Sequence, residues 1–201
     1  MREYMEDTVR YYDENKDEYM QMWNVDFLKN VNFIYPDLFV GYLKKGAHIL
    51  DLGCGSGRDS LHFTELGYDV TAIDASKEMC DLTAKICSAK VINMNFLDMN
   101  FDEEFDGIFA CASLLHLNDE DLITCLNLCM KALKKSGMFY ISFKYGEGSR
   151  FKGKRFFNDM TEERFTGFAD KIDGLEIIEL WKSERYGDHI PFLNVLARKS
   201  G

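Results

Sequence analysis

Ile49-Leu50-Asp51-Leu52-Gly53-Cys54-Gly55-Ser56-Gly57-Arg58 carries the strongest structural signal in the chain. A short apolar run meets three alternate glycines and then an amphipathic segment that stops at Gly67. That reads as a strand, a tight turn and a helix. Glycine lets ligand atoms approach the backbone. In an open parallel sheet, such turns stand at the carboxyl ends of strands, where ligands bind. The spacing is not that of a dinucleotide fingerprint, because Arg58 stands where the third glycine of G-x-G-x-x-G belongs. It is not a phosphate loop either, since G-x-x-x-x-G-K-[ST] does not occur here. Asp51, directly before the turn, repels a pyrophosphate and favours a cationic group such as an α-ammonium. Arg58, one turn into the helix, matches a carboxylate with its forked donors. An amino-acid moiety would satisfy both.

Outward from this turn, apolar strands alternate with helical patterns. AHILDL, YDVTAID, VINM, FDGIFACA and MFYISF read as strands, and LEIIELW and FLNVLAR close the chain as two more. Helices are expected over Gly57–Leu66, from Ser76 to about Ser88, from Asp119 to the Lys134-Lys135-Ser136-Gly137 stop, and from Thr161-Glu162-Glu163 onward. Several strands are apolar on both faces, the pattern of a parallel sheet covered by helices. The last two are joined too briefly for a parallel crossover and should pair antiparallel. Asp74 ends the second strand about 20 residues after the turn, where an acid accepts hydrogen bonds from both ribose hydroxyls. Asn95 can bond an adenine edge and Phe96 can lie against its face. The plainer readings are that Asp51 and Asp74 cap helices and that Asn95 forms a turn. An amino acid, a ribose and an adenine together describe S-adenosylmethionine.

Residues 1–46 read as an N-terminal helical lid and 47–201 as the core. Through Asp26 the first segment carries eight acids and three bases, with apolar residues at helical spacing. A second amphipathic segment, from about Asp26 to Leu43, should be interrupted near Pro36. The chain of 201 residues is 46% apolar and 29% charged, an ordinary globular balance, and its net charge of −10 argues against a DNA partner. No apolar run is long enough for a membrane span, and the acidic N-terminus is no export signal. The six cysteines form no C-x-x-C pair. They read as reduced residues of a cytoplasmic protein, and no ligand cluster suggests a metal.

ILDLGCGSGRDSLHFTELGYDVTAIDAS resembles the class I S-adenosylmethionine-dependent methyltransferases, and its GCGSGR wording resembles most the tellurite-resistance and small-molecule branch. FDGIFACASLLHL and LKKSGMFYISF are similar to the family's fourth and fifth motifs, and the resemblance covers about residues 47–199. It implies an α/β, Rossmann-like three-layer sandwich whose seven-stranded sheet has the order 3-2-1-4-5-7-6, with strand seven antiparallel. By the resemblance, Gly53, Cys54 and Gly55 contact the methionine part of the cofactor, Asp74 with Ala75 the ribose, and Asn95 with Phe96 the adenine. Cys111 and Ala112 would lie beneath the sulfonium. Residues 11–23 look like the family's lid, so Tyr12 and Trp23 would close over the cofactor, although the same aromatic run fits a helix that simply packs its apolar face.

Methyl transfer from a sulfonium is an in-line displacement, so the protein mainly positions the nucleophile. His116, after the fourth strand, is the expected catalytic base where one is needed; a packing histidine is the plainer reading. The segment from Lys144 to Arg155 holds five cations against Glu147 alone. It is read as a loop that draws in an anionic acceptor, with Lys144, Tyr145, Arg150 and Arg155 as substrate contacts and His189 approaching from the last connection. The expected activity is methylation of a small, anionic acceptor. An RNA or protein methyltransferase working with a partner and a non-catalytic S-adenosylmethionine-binding protein are the alternatives.

Overall fold

The computed structural model describes residues 2–22, 33–184 and 190–201. The strands are β1 (His48–Leu52), β2 (Asp69–Asp74), β3 (Lys90–Asn93), β4 (Phe105–Ala110), β5 (Leu133–Lys144), β6 (Gly148–Lys152), β7 (Arg155–Asp159), β8 (Leu175–Glu184) and β9 (Pro191–Lys199). Seven of them form one sheet, ordered β3-β2-β1-β4-β5-β9-β8. Neighbours are parallel from β3 through β5, whereas β9 runs antiparallel to both β5 and β8. With β8 and β9 as the sixth and seventh strands, this is the expected order.

The helices are α1 (Glu3–Glu14), α2 (Lys16–Met22), α3 (Ile34–Val40), α4 (Arg58–Glu65), α5 (Lys77–Ile86), α6 (Asp119–Ala132) and α7 (Glu162–Ala169). Polar caps start three of them: Ser76 accepts from the Met79 N–H, Asn118 from Asp121 and Thr161 from Arg164. The sheet is buried on both faces. Leu50 and Leu52 of β1 point into a core with Leu122, Leu126 and Phe139. Ile49, one residue before Leu50, joins Phe39, Phe63, Phe109 and Tyr140 on the other face. This two-sided burial is why the strands read as continuous apolar runs. Among the described residues no helix is long and apolar enough to cross a membrane.

Pro36 lies in the first turn of α3, where a backbone N–H would have no intrahelical partner, and residues 26–32 of the second amphipathic segment lie outside the described residues. Two local expectations are corrected. α6 ends at Ala132 rather than at Gly137, because Leu133 is fully buried and pairs with Phe105 in the sheet. The basic segment is no loop. β6 and β7 form a separate antiparallel hairpin in which Lys152 faces Arg155. Gly153, with φ +61°, takes the first central position of its two-residue turn, a position that favours glycine. Phe156 and Phe157 of β7 are buried and anchor it.

Candidate active site

The turn after β1 is shaped by backbone torsion. Gly53, Gly55 and Gly57 have φ of +86°, +54° and +88°, a region that side chains disfavour. A Cβ on Gly53 would lie 2.3 Å from Ser113 Cβ, and one on Gly57 would lie 2.9 Å from Thr83 Cα on α5. Gly55 differs, because among the described residues beyond its chain neighbours no atom lies within 4 Å of its Cβ position. Its open side is a cradle at the carboxyl edge of the sheet. Thr83 Oγ1 donates to the Gly55 carbonyl at 2.9 Å and ties the turn to α5.

Two acids, Asp51 buried and Asp74 half-buried, stand by the turn. Asp51 accepts from Ser60 Oγ at 2.5 Å, and burial with the neighbouring Asp59 pushes its carboxyl up to about 7. Asp74 accepts from the Gly55 N–H at 3.0 Å and the Ser76 N–H at 2.8 Å, and burial lifts it to about 6. Asn93 Nδ2 donates to the carbonyls of Asp74 and Ala75, both at 2.9 Å, and holds the end of β2. Phe96 lies along the turn, its Cζ 3.2 Å from the Cβ position of Gly53. Asn95 accepts from the Leu97 N–H at 2.8 Å, so its carbonyl oxygen is used locally as a cap.

Arg58, expected on the cofactor, has partners within the protein. Its Nε and Nη2 fork onto Asp59 at 2.8 and 2.6 Å, and Nη2 approaches Cys111 Sγ at 3.7 Å. The fork compensates a buried acid. Ala112 carries φ +52°, an uncommon torsion for a residue with a side chain. Ser142 holds it by accepting the Ala112 N–H at 2.9 Å, while Ser113 Oγ donates to the Leu52 carbonyl at 2.5 Å. The ends of β1, β4 and β5 are therefore laced together beside the cradle.

A second group of side chains gathers around Phe157, which is 2% exposed. Lys144 Nζ lies 4.0 Å from its ring centroid, with the guanidinium carbons of Arg150 and Arg155 at 5.1 and 5.3 Å. Arg150 is bonded to Asp159 at 2.5 and 3.2 Å. Arg155 lies 4.2 Å over the Tyr11 ring and donates to Tyr19 Oη at 3.1 Å, yet its buried Nε has no hydrogen-bond partner among the described residues. His116 packs on the same Phe157 ring at 4.9 Å. Its Nδ1 faces the Phe156 carbonyl at 2.6 Å and its Nε2 the Tyr12 hydroxyl at 2.9 Å. A carbonyl only accepts, so Nδ1 carries the proton and Nε2 accepts from Tyr12. Burial pushes His116 down to about 4. Tyr12 feels Arg155 on one side and Asp74 on the other, so it spans the two groups. Tyr145 is engaged elsewhere: its hydroxyl donates to Glu162 at 3.0 Å and its ring lies under Lys182. Trp23 and His189 lie outside the described residues.

Residues 49–137 match the model of a methyltransferase domain. A putative methyltransferase, YqeM, of Bacillus subtilis is 30% identical over 159 residues, which are 76% of this chain and 60% of that protein. The chain therefore spans only part of that relative. The fold is similar to the Burkholderia thailandensis 1,6-didemethyltoxoflavin-N1-methyltransferase, with a TM-score of 0.82, 20% identity, and 99% and 90% of the two chains covered. It is also similar to a TehB-like methyltransferase of Corynebacterium glutamicum, with a TM-score of 0.72, 22% identity, and 93% and 99% covered. The chain carries a class I S-adenosylmethionine-dependent methyltransferase domain. The cofactor of such a domain is S-adenosylmethionine, and the open side of Gly55, with the Asp74 carboxylate on its N–H and Asp51 in the strand before it, fits a group with an ammonium and a ribose.

Several residues of this methyltransferase site escaped the sequence reading. Asp13 on α1 accepts from Ser76 Oγ at 2.5 Å, and Lys16 on α2 pairs with Glu78 at 2.6 Å, so the N-terminal helices dock on α5. Thr8 Oγ1 accepts the Phe156 N–H at 3.2 Å and fixes α1 to the hairpin. Nothing in the local sequence marks these partners. The hairpin itself was signalled by Phe151-Lys152-Gly153-Lys154-Arg155-Phe156, a glycine turn between aromatic residues.

Proposed function

We propose that the protein transfers the methyl group of S-adenosylmethionine to a small, anionic acceptor. The observation that carries this reading is the cluster at Phe157, where Lys144, Arg150 and Arg155 surround one ring and the buried Arg155 Nε–H meets no acceptor. A buried donor left unpaired costs roughly 1–3 kcal/mol, and an anionic oxygen or nitrogen would remove that cost. The fold overlap with a protein that acts on didemethyltoxoflavin, a small molecule, supports an acceptor of that size.

When bound, the cofactor supplies a methyl group on a cationic sulfur that leaves as a neutral thioether and needs no acid. The protein's part is placement. Asp51 would hold the ammonium and Asp74 the ribose hydroxyls, and Phe96 would lie against the adenine. Cys111 and Ala112 would stand between this half and the acceptor. A lid of residues 1–46 over a core of residues 47–201 is supported by α1, which is bonded both to Ser76 beside the cradle and to Phe156 of the hairpin. The test is incubation with methyl-labelled cofactor and size-fractionated cell extract. Label entering the small-molecule fraction, with S-adenosylhomocysteine formed, supports the reading. Label entering only RNA or protein overturns it.

A further inference from the structure

We infer that Lys144, rather than His116, takes the acceptor's proton, and that the acceptor is a weak N–H or O–H acid that becomes anionic inside the cluster. This rests on the methyltransferase reading above.

His116 is closed to the task by its geometry. Nδ1 donates to the Phe156 carbonyl and Nε2 accepts from Tyr12, so neither nitrogen offers a lone pair to a substrate. Taking a proton would displace the Tyr12 donor, leave the hydroxyl to accept instead, and place a cation near Arg155 and Lys144, both of which already disfavour it. Its place is that of a positioning residue for the Tyr12 hydroxyl.

Lys144 is open to it. It is the last residue of β5, at the carboxyl edge of the sheet, with Nζ over the ring that also touches His116. No carboxylate among the described residues bonds to it, and Asp159 is taken by the fork of Arg150. The groups that face it are Arg150 and Lys152 from β6, Arg155 and Asp159 from β7, and His116 from the segment after β4. The three cations outweigh the single acid. Partial burial and these cations bring the amine down to about 8, so a neutral lone pair is available near physiological pH.

The step balances without a further reactant. The acceptor X–H, with X nitrogen or oxygen, gives its proton to the neutral Nζ. The pair left on X forms the new bond to the methyl carbon as the carbon–sulfur bond breaks with its pair going to sulfur. The products are X–CH3, S-adenosylhomocysteine and a Lys144 ammonium, which returns its proton to water. While protonated, Lys144 faces the anion it created, and Arg155 Nε–H is the second donor.

The test has two arms on the full chain. NMR of lysine ¹³Cε and ¹⁵Nζ against pH, with the Lys144 signal identified by its loss in Lys144→Arg, should give a midpoint near 8, well below the ordinary 10.5. A midpoint near 10.5 overturns the proposal. With the acceptor recovered from the labelled-cofactor screen, kcat/KM should rise with pH and level near the same midpoint. Lys144→Arg keeps the charge but cannot lose a proton, so KM should stay within about threefold while kcat falls about 100-fold and the rising limb disappears. Full kcat in Lys144→Arg means that Lys144 serves only as a cation, which overturns the proposal. Loss of the limb in His116→Gln, with Lys144→Arg retaining it, also overturns it. Absence of transfer to any acceptor overturns the methyltransferase reading and the proposal with it, and the NMR midpoint then shows whether Lys144 itself behaves as described.

Discussion

The two halves of the candidate site are built by opposite means. The cofactor half comes from residues 49–96, a continuous stretch in which adjacent parallel strands deliver Asp51, Asp74 and Phe96 to one edge. Its geometry is backbone geometry: three glycines at positive φ, and two acids whose burial raises them above the carboxylate range. The acceptor half is an assembly of side chains from α1, α2, the segment after β4, the end of β5 and the β6–β7 hairpin, and it is cationic. A ligand held by close approach to the main chain needs its torsions written at consecutive positions. A ligand chosen by charge and shape can be met by groups that only the fold brings together.

The sharpest way to break this contrast is at Gly53. Gly53→Ala places a Cβ 2.3 Å from Ser113 at a positive φ, so affinity for S-adenosylhomocysteine should fall by about 100-fold or more. Calorimetry measures this, and an unchanged Kd would mean that the turn is not the cradle. On the other side, Arg155→Met should raise the acceptor KM about 10- to 100-fold, the worth of a hydrogen bond to a charged group, while the cofactor Kd stays within about twofold. Equal losses in both would show that the halves are one unit.

Proton linkage separates the halves more gently. Asp51, raised from 3.8 to about 7, is mostly protonated at acid pH in the free protein, and a bound ammonium requires its carboxylate. Cofactor binding should therefore release a proton, and affinity should rise about tenfold between pH 6 and pH 8 and then level. Titrations at one pH in two buffers of different ionisation enthalpy count that proton, and Asp51→Asn should abolish the difference. The same raised value makes this group's contribution to the stability of the unliganded fold largest at low pH and lost as pH rises through about 7. The smallest effect is expected at the bridge. Tyr12→Phe leaves His116 Nε2 without its donor and should cost about 1 kcal/mol, read as a Tm about 2–4 °C lower. Both Kd and KM should rise modestly, and a change in only one would assign Tyr12 to that half.

The legibility of the sequence follows the same division. The parallel sheet could be read because several strands are apolar on both faces, and the antiparallel pair because the last connection is too brief for a crossover, whereas the strand order came from the family resemblance. Ser76 and Thr161 announced their helices as caps, a contact within three residues. The fork of Arg58 onto the buried Asp59 could not be read from the local wording, which fits a ligand contact equally well. The basic segment looked like a loop because its glycines are prominent, whereas Phe156 and Phe157 supply the burial that makes it a hairpin. His116 was singled out as a base from its place after β4. Only the Phe156 carbonyl and the Tyr12 hydroxyl, at separations of 40 and 104 residues, show how its two nitrogens are used.

By itself, then, the chain's wording determined the sheet, its switch point, the glycine turn and the acids beside it, since periodicity, glycine torsion and capping are properties of neighbours in sequence. Tertiary structure alone decided which cations are already neutralised, which nitrogen of His116 holds a proton and why Lys144 is left without a carboxylate. Those outcomes are competitions between groups far apart along the chain, and low-dielectric burial, which no local pattern encodes, sets who wins.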